Sequence, residues 1–90
     1  MDETRLKRVR LRAWRRGFRE ADLILGPFAD SHVRGFSSEE LDRFETLLEQ
    51  PDPELYAWIM GTEAVPAQFD GPIMAALRKF RRSGAGVPPA

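Results

Sequence analysis

Apolar residues recur along this chain at spacings of three and four in five segments, and no segment shows the strict alternation of a half-buried strand. Spacing of three and four places apolar side chains on one face of a helix. Each segment is bounded by glycine, proline or a capping residue. The pattern predicts an all-α fold, a compact bundle of five short helices, with residues 1–82 as a single domain. Residues 83–90 are rich in glycine and proline, and we expect a flexible C-terminal tail there.

The first two helices are predicted to meet at a glycine. The apolar positions of the first helix form two neighbouring rows, which are Leu6, Val9 and Ala13, then Leu11, Trp14 and Phe18. Together the rows predict a broad apolar stripe that faces the core. Gly17 is expected to end this helix, because glycine adopts the left-handed conformation of a helix cap without steric cost. The second helix is expected to bend or tighten at Gly26-Pro27 and to end by about Ser31, with a loop over residues 32–36.

The third helix carries the clearest start signal in the chain. Ser37 and Glu40 have the spacing of a capping box, in which each side chain bonds the backbone amide of the other residue. The apolar face that follows comprises Leu41, Phe44, Leu47 and Leu48. Pro51 is expected to close the helix.

Proline and glycine also delimit the last two helices. Asp52 is expected to cap the fourth helix, with Pro53 at its first position, and Gly61 is expected to end it. The fifth helix is predicted to start either after Pro66 or at Asp70-Gly71-Pro72.

The composition excludes several kinds of site. The chain contains no cysteine and one histidine, His32, so neither a thiolate zinc site nor a multi-histidine metal site is available. The longest uncharged apolar stretch, residues 23–29, is far shorter than the roughly 20 residues that a membrane helix needs. Acid pairs such as Glu39 and Glu40 fit capping and solubility better than acid–base catalysis. We therefore expect no metal, no membrane insertion, no catalytic residue and no enzymatic activity.

Charge is strongly segregated along a chain whose formal net charge is zero. Residues 1–16 carry a net charge of +5, residues 36–70 carry −8 and residues 71–90 carry +4. Two interpretations stay open: basic and acidic helices that face one another, or a basic end that steers a charged protein partner. The acidic middle would repel phosphate, and no known nucleic-acid motif accompanies the arginines, so we expect no nucleic-acid binding.

The segment from Trp14 to Leu23 concentrates charged residues at the predicted helix junction. In a near-helical backbone, Arg16 and Glu20 lie four residues apart, and an exposed pair of this kind contributes only about a few tenths of a kcal/mol. Because Gly17 has no side chain, a partner's backbone can approach closely there, with Arg16 and Glu20 as flanking donor and acceptor. On these residues alone, a glycine helix stop with solvated charges is the simpler interpretation.

Several short motifs resemble one known family in their order and spacing. Residues 16–20, Arg-Gly-Phe-Arg-Glu, resemble the Arg-Gly-x-x-Glu signature of the succinate dehydrogenase assembly factor 2 family, small flavinylation factors of bacteria and mitochondria. Further blocks follow in register, which are Asp22-Leu-Ile-Leu25 with Phe28, Phe44-x-x-Leu47-Leu48-Glu49, Asp52-Pro-x-Leu55 and Trp58-Ile-x-Gly61. The resemblance extends over roughly residues 5–80 and rests on these independent blocks together.

The resemblance implies a chaperone-like factor that binds the flavoprotein subunit of succinate dehydrogenase, and often its fumarate reductase relative. Such a factor promotes covalent attachment of FAD to a histidine of that subunit. The partner flavoprotein carries the FAD, and we expect no cofactor to bind this chain tightly. Matched by position, the implied partner-binding residues are Arg16, Gly17, Glu20 and Asp22, with Arg19 and Trp14 as their neighbours.

Other functions stay open on the residues themselves. The arginine-rich face would also suit a regulatory or toxin-neutralising module that binds another acidic protein, and the first helix would suit a nucleic-acid-binding helical domain. The start, Met1 to Arg5, lacks the apolar region of a signal peptide. We therefore expect a cytoplasmic protein, and we expect it to be a monomer.

Overall fold

Five α-helices make up the described part of the protein. The computed structural model describes residues 3–83. The helices are α1 (Glu3–Trp14), α2 (Arg19–His32), α3 (Ser38–Leu48), α4 (Asp52–Met60) and α5 (Pro72–Arg82), with short 3₁₀ turns at Val33–Gly35 and Ala67–Phe69. No strand occurs in the described range, which confirms the all-α prediction. None of these helices has the length and apolar character needed to cross a bilayer. The tail predicted for residues 83–90 lies outside the described residues, apart from Ser83.

One apolar core joins all five helices. Phe28 of α2 and Phe44 of α3 lie at its centre, fully buried, with their ring centroids 5.7 Å apart. The capping box of α3 is present: the Ser37 hydroxyl accepts from the Glu40 amide at 3.1 Å, and the Ser37 amide donates to the Glu40 carboxylate at 2.8 Å. The predicted face of α3 is confirmed, since all four of its residues are buried, namely Leu41, Phe44, Leu47 and Leu48.

The prediction for α1 is half right. The row comprising Leu6, Val9 and Ala13 is buried. The second row is wrong in two of its members, because Leu11 is 50% exposed and Trp14 is 40% exposed. α1 packs against α2 and α3, and a helix packed on one side buries mainly a single stripe. α1 also ends at Trp14, earlier than the end predicted at Gly17, so Arg15 and Arg16 lie in the connection.

The loop predicted for residues 32–36 is wrong. His32 is the last residue of α2, and its ring stacks on Phe28 with centroids 4.1 Å apart. Val33 is fully buried and opens a 3₁₀ turn, which continues the helical path. Pro27 lies inside α2, and the helix extends for five further residues. Burial of Phe28, Ala29 and Val33 in the core favours this continuation despite the proline.

Some of the predicted boundaries of α4 and α5 are correct, and one is wrong. Gly61 is left-handed at φ +82° and ends α4, as predicted. The capping role predicted for Asp52 is wrong: Pro51 is the N-cap, and Asp52 is the first helical residue. α5 begins at Pro72, which confirms the second of the two predicted starts, whereas the segment after Pro66 forms only a 3₁₀ turn.

Candidate functional site

The connection between α1 and α2 places a left-handed glycine at the surface. Gly17 has φ +87°, a conformation that residues with side chains rarely adopt. A Cβ built on Gly17 would meet no atom of residues 3–83 within 4 Å. The outer side of this connection is therefore open to another molecule.

Arg16 holds the connection onto the rest of the fold. Its side chain is only 8% exposed, and its Nε donates to Asp52 Oδ1 at 2.5 Å. Its two η nitrogens donate to the carbonyl oxygens of Leu48 and, at 2.5 Å, of Gln50. Carbonyls at a helix end lack partners within the helix, so one guanidinium satisfies the end of α3 and binds the start of α4.

The backbone of Arg16 is fixed as well. Its amide donates to Asp22 Oδ1 at 3.0 Å, and the Asp22 amide donates to the Phe18 carbonyl at 2.9 Å. Asp22 lies in the first turn of α2, where a carboxylate is favourably placed toward the helix dipole. We call this arrangement the Arg16 clasp, which comprises Arg16, Asp22, Asp52 and the carbonyls of Leu48 and Gln50.

The residues after Gly17 present their charges to solvent. Arg19 and Glu20 are exposed, and within residues 3–83 neither side chain makes a hydrogen bond or an ion pair. Arg16 pairs with Asp52 instead of Glu20, because Gly17 interrupts the helix that would have stacked the two residues. The structure therefore separates the signature into an anchored Arg16 and an exposed segment, Gly17–Glu20.

Trp14 fixes the other side of the connection. Its indole lies against Gly26 so closely that a Cβ on Gly26 would be 2.3 to 2.6 Å from three ring atoms. Its Nε1 donates to Asp30 Oδ2 at 3.1 Å. Gly26 is therefore required for the close approach of the indole.

All six residues predicted for partner binding lie at this one connection, and their role in partner binding stays a prediction. Sequence reasoning missed the partners that hold them, which are Asp52, the carbonyls of Leu48 and Gln50, Gly26 and Asp30. The sequence does single out Asp52, as a carboxylate beside Pro53, but the same pattern is typical of a helix N-cap. No short-range pattern connects it to a residue 36 positions away.

Surface grooves occur on the molecule. One of about 490 Å³ lies between α3 and the segment that leads into α5. A smaller one of about 260 Å³ is lined by Arg12, Arg15 and Arg16 with Leu48 and Asp52. No group of three or more histidine, cysteine or acidic residues within residues 3–83 is arranged to hold a metal ion. The site is thus a projecting surface, suited to contact with another macromolecule.

Comparison with protein families gives one match across most of the chain. A family described as flavinator of succinate dehydrogenase matches residues 7–81. That range includes the Arg16 clasp, the exposed Gly17–Glu20 segment and most of the core.

Curated relatives come from bacteria and from mitochondria. FAD assembly factor SdhE of Acetobacter pasteurianus is 34% identical over 83 residues, which cover 89% of this chain and 76% of that protein. The protein of the same name from Shewanella oneidensis is 44% identical over 66 residues, covering 73% and 79%. Mitochondrial succinate dehydrogenase assembly factor 2-A of Drosophila yakuba is 32% identical over 87 residues, and the match covers 94% of this chain but 54% of the fly protein. This chain therefore spans about half the length of its fly relative.

Proposed function

Because the chain belongs to the succinate dehydrogenase flavinator family, we propose that it binds the flavoprotein subunit of succinate dehydrogenase and promotes covalent attachment of FAD to it. The proposal extends to the related flavoprotein of fumarate reductase. In this proposal the FAD belongs to the partner, and the chain contributes a binding surface without chemistry of its own.

The exposed Gly17–Glu20 segment, backed by the Arg16 clasp, is the observation that carries the proposal. A segment held from behind at several points loses little freedom when a partner binds, so more of the contact energy appears as affinity. Gly17 leaves room for a partner's backbone, while Arg19 and Glu20 supply charges that are unsatisfied within the described chain. We propose that these three residues contact the flavoprotein.

We propose that Arg16 and Asp22 have a different role from Gly17 and Glu20. The Arg16 guanidinium already donates to Asp52 and two carbonyls through all three of its nitrogens, and its side chain is only 8% exposed, so little of it is available to a partner. Arg16 then acts as a positioning residue that sets the shape of the segment, and Asp22 fixes its backbone. Substituting Arg16 is expected to weaken partner binding through the shape of the segment.

Binding alone accounts for promotion of flavin attachment. Forming the bond between the flavin and a histidine of the partner requires the two groups to be held in a reactive geometry. Holding reacting groups in place removes several kcal/mol of an activation barrier, about 7–11 kcal/mol in the best cases. A small helical protein supplies this effect by fixing the partner's domains relative to each other.

The test compares two exposed acids in one assay. Wild type, Glu20→Ala and the control Glu54→Ala, which removes an exposed acid of α4, are titrated against FAD-loaded flavoprotein, and covalent flavin is measured by in-gel fluorescence. Glu20→Ala should weaken binding about tenfold or more and slow flavin attachment in parallel, with unchanged thermal stability. The control should match wild type.

Two results would contradict the proposal in different ways. Normal binding by Glu20→Ala without flavin attachment would indicate a direct chemical role for that carboxylate. Absence of any complex between wild type and the flavoprotein would exclude this partner, and a regulatory module for another acidic protein would then be the better interpretation.

A further inference from the structure

The outward side of α1 forms a small apolar patch surrounded by positive charge. Leu11 and Trp14 are the two exposed large hydrophobic residues within residues 3–83. They lie three positions apart and therefore share a helix face. The positions four before, three before and four after Leu11 are Lys7, Arg8 and Arg15, and all three are exposed. We call these five residues the α1 outer face.

The cations of α1 fall into two groups according to the side on which they lie. Toward α3, Arg5 donates to Asp42 at 2.5 Å and to Glu45 at 2.7 Å, and these acids raise the pKa of Arg5. By contrast, the three cations of the α1 outer face make no side-chain hydrogen bond or ion pair with any residue in the described part of the chain. The fold thus pairs Arg5 with acids of α3 and leaves the three cations of the α1 outer face without a partner in the described part of the chain.

Two of the outer cations repel a neighbouring arginine. Arg8 and Arg15 lie four before and three after Arg12, and like charges at these spacings repel one another. Leu11 likewise loses the benefit of burial, since half of its surface faces water. Each of these features becomes favourable only when an acidic, partly apolar surface covers the face.

We propose that the α1 outer face docks an acidic surface of the flavoprotein that surrounds a shallow apolar recess for Leu11. This inference rests on the proposed function and adds a second contact area to it. Charge complementarity identifies the partner surface as acidic, and tryptophan and arginine are the residue types that most often contribute strongly at protein interfaces. Arg15 directly precedes the Arg16 clasp, so the α1 outer face lies one residue along the chain from the exposed Gly17–Glu20 segment.

Two other occupants fit the face less well. A membrane surface requires a broad apolar helix face, but the main apolar stripe of α1, formed by Leu6, Val9 and Ala13, is buried in the core. A nucleic acid would pair with the cations but leave Leu11 exposed, and its phosphates would meet a chain with no net positive charge. A protein surface satisfies both the charge and the apolar centre.

The experiment reverses two charges on this face and two elsewhere. The variant Lys7→Glu/Arg8→Glu is compared with the control Lys79→Glu/Arg82→Glu, which makes the same charge change at exposed positions of α5. Both pairs are remote from the clasp, and thermal denaturation confirms folding. At low salt the first variant should bind FAD-loaded flavoprotein about tenfold or more weakly than wild type, mainly because it associates more slowly. At high salt the association rates of variant and wild type should become similar. The control should bind like wild type.

A second variant tests the apolar centre separately. Leu11→Gln keeps a good helix former and should weaken binding severalfold at low and at high salt alike, because it removes apolar contact rather than charge. Binding equal to wild type by both α1 variants, or an equal loss in the α5 control, would overturn the inference.

Two further titrations test which kind of molecule binds the α1 outer face. Wild type and the α1 charge variant are also titrated with duplex DNA and with vesicles that contain an anionic lipid. If wild type binds the DNA or the vesicles tightly and the α1 charge variant does not, the face binds that ligand, and the proposal of a protein partner is wrong. If wild type does not bind the flavoprotein, both the proposed function and this inference are wrong. If wild type binds and the α1 variants bind with the same affinity, only this inference is wrong.

Discussion

Two of the connections between helices contain a left-handed glycine, but different side chains anchor them to the rest of the fold. The α1–α2 connection, residues 15–18, contains left-handed Gly17 at φ +87°, and the α4–α5 connection, residues 61–71, begins with left-handed Gly61 at φ +82°. A Cβ on either glycine would meet open space within the described structure. In each case the glycine turns the chain and leaves the space beside it open.

The anchoring side chains make the two connections different. The short connection is fixed by the Arg16 clasp, with four hydrogen bonds made by one residue. The helices that flank the long connection share one comparable bond, from Arg78 Nε to the Trp58 carbonyl at 2.9 Å, and Phe69 within it stacks on Trp58. The comparison shows that a glycine sets the direction of a chain, whereas rigidity comes from side chains that bind it from elsewhere.

Removing the anchoring arginines should give the largest difference between the two connections. Arg16→Ala leaves Asp52 and two helix-end carbonyls without their donor, and we expect a loss of about 3 kcal/mol and a fall in Tm of more than about 10 °C. Arg78→Ala removes one bond and should cost about 1 kcal/mol. Thermal and urea denaturation measure both variants, and equal losses would show that the clasp does not distinguish the connections.

The close approach of Trp14 to Gly26 should give the next largest effect. Gly26→Ala places a methyl group inside the indole ring, and we expect a net loss of about 1–2 kcal/mol although alanine is the better helix former. In a Trp14→Ala background the same change should become neutral or stabilising, by up to about 1 kcal/mol. Urea denaturation of the four proteins measures this reversal, and the same sign in both backgrounds would contradict the contact.

Substitution of Gly17 and of Gly61 should lower stability equally but affect partner binding differently. Gly17→Arg and Gly61→Arg each force a side chain into the left-handed conformation, which costs about 1 kcal/mol in either place. Under the proposed function, only Gly17→Arg should abolish binding to the flavoprotein, because its side chain occupies the space left for the partner. Circular dichroism and a binding titration measure the two effects, and an unfolded Gly17→Arg variant would indicate a structural role instead.

The smallest effect should come from an ion pair in open solvent, which contrasts with the clasp. Arg34 donates to Glu3 at 2.6 Å and holds the pKa of Glu3 below its ordinary value of 4.5. A lowered pKa stabilises the fold above that value, and the contribution is lost as the pH falls through the pKa of the folded state. Glu3→Gln should therefore lower Tm slightly at neutral pH, and the difference should shrink as the pH is lowered below 4.5. A difference that does not change with pH would contradict the pairing.

Local signals in the sequence predicted most of the helix boundaries. The Ser37–Glu40 capping box, Gly61 and Pro72 each act within a few residues of themselves, so their effect does not depend on what packs nearby. The apolar face of α3 was correct for a similar reason, because its period alone determines which residues share a side. Periodicity does not determine which sides are covered, and Leu11 was therefore misplaced.

The sequence by itself determined five helices, the left-handed glycine at residue 17 and the charged segment around it. Only the tertiary structure decided that Arg16 binds Asp52 and the end of α3, that the indole of Trp14 lies on Gly26, and that His32 stacks on Phe28. Backbone preferences and caps depend on neighbours along the chain, which can be read in order. The clasp depends on two helix ends that are 36 residues apart in sequence and are brought together by burial of a shared core.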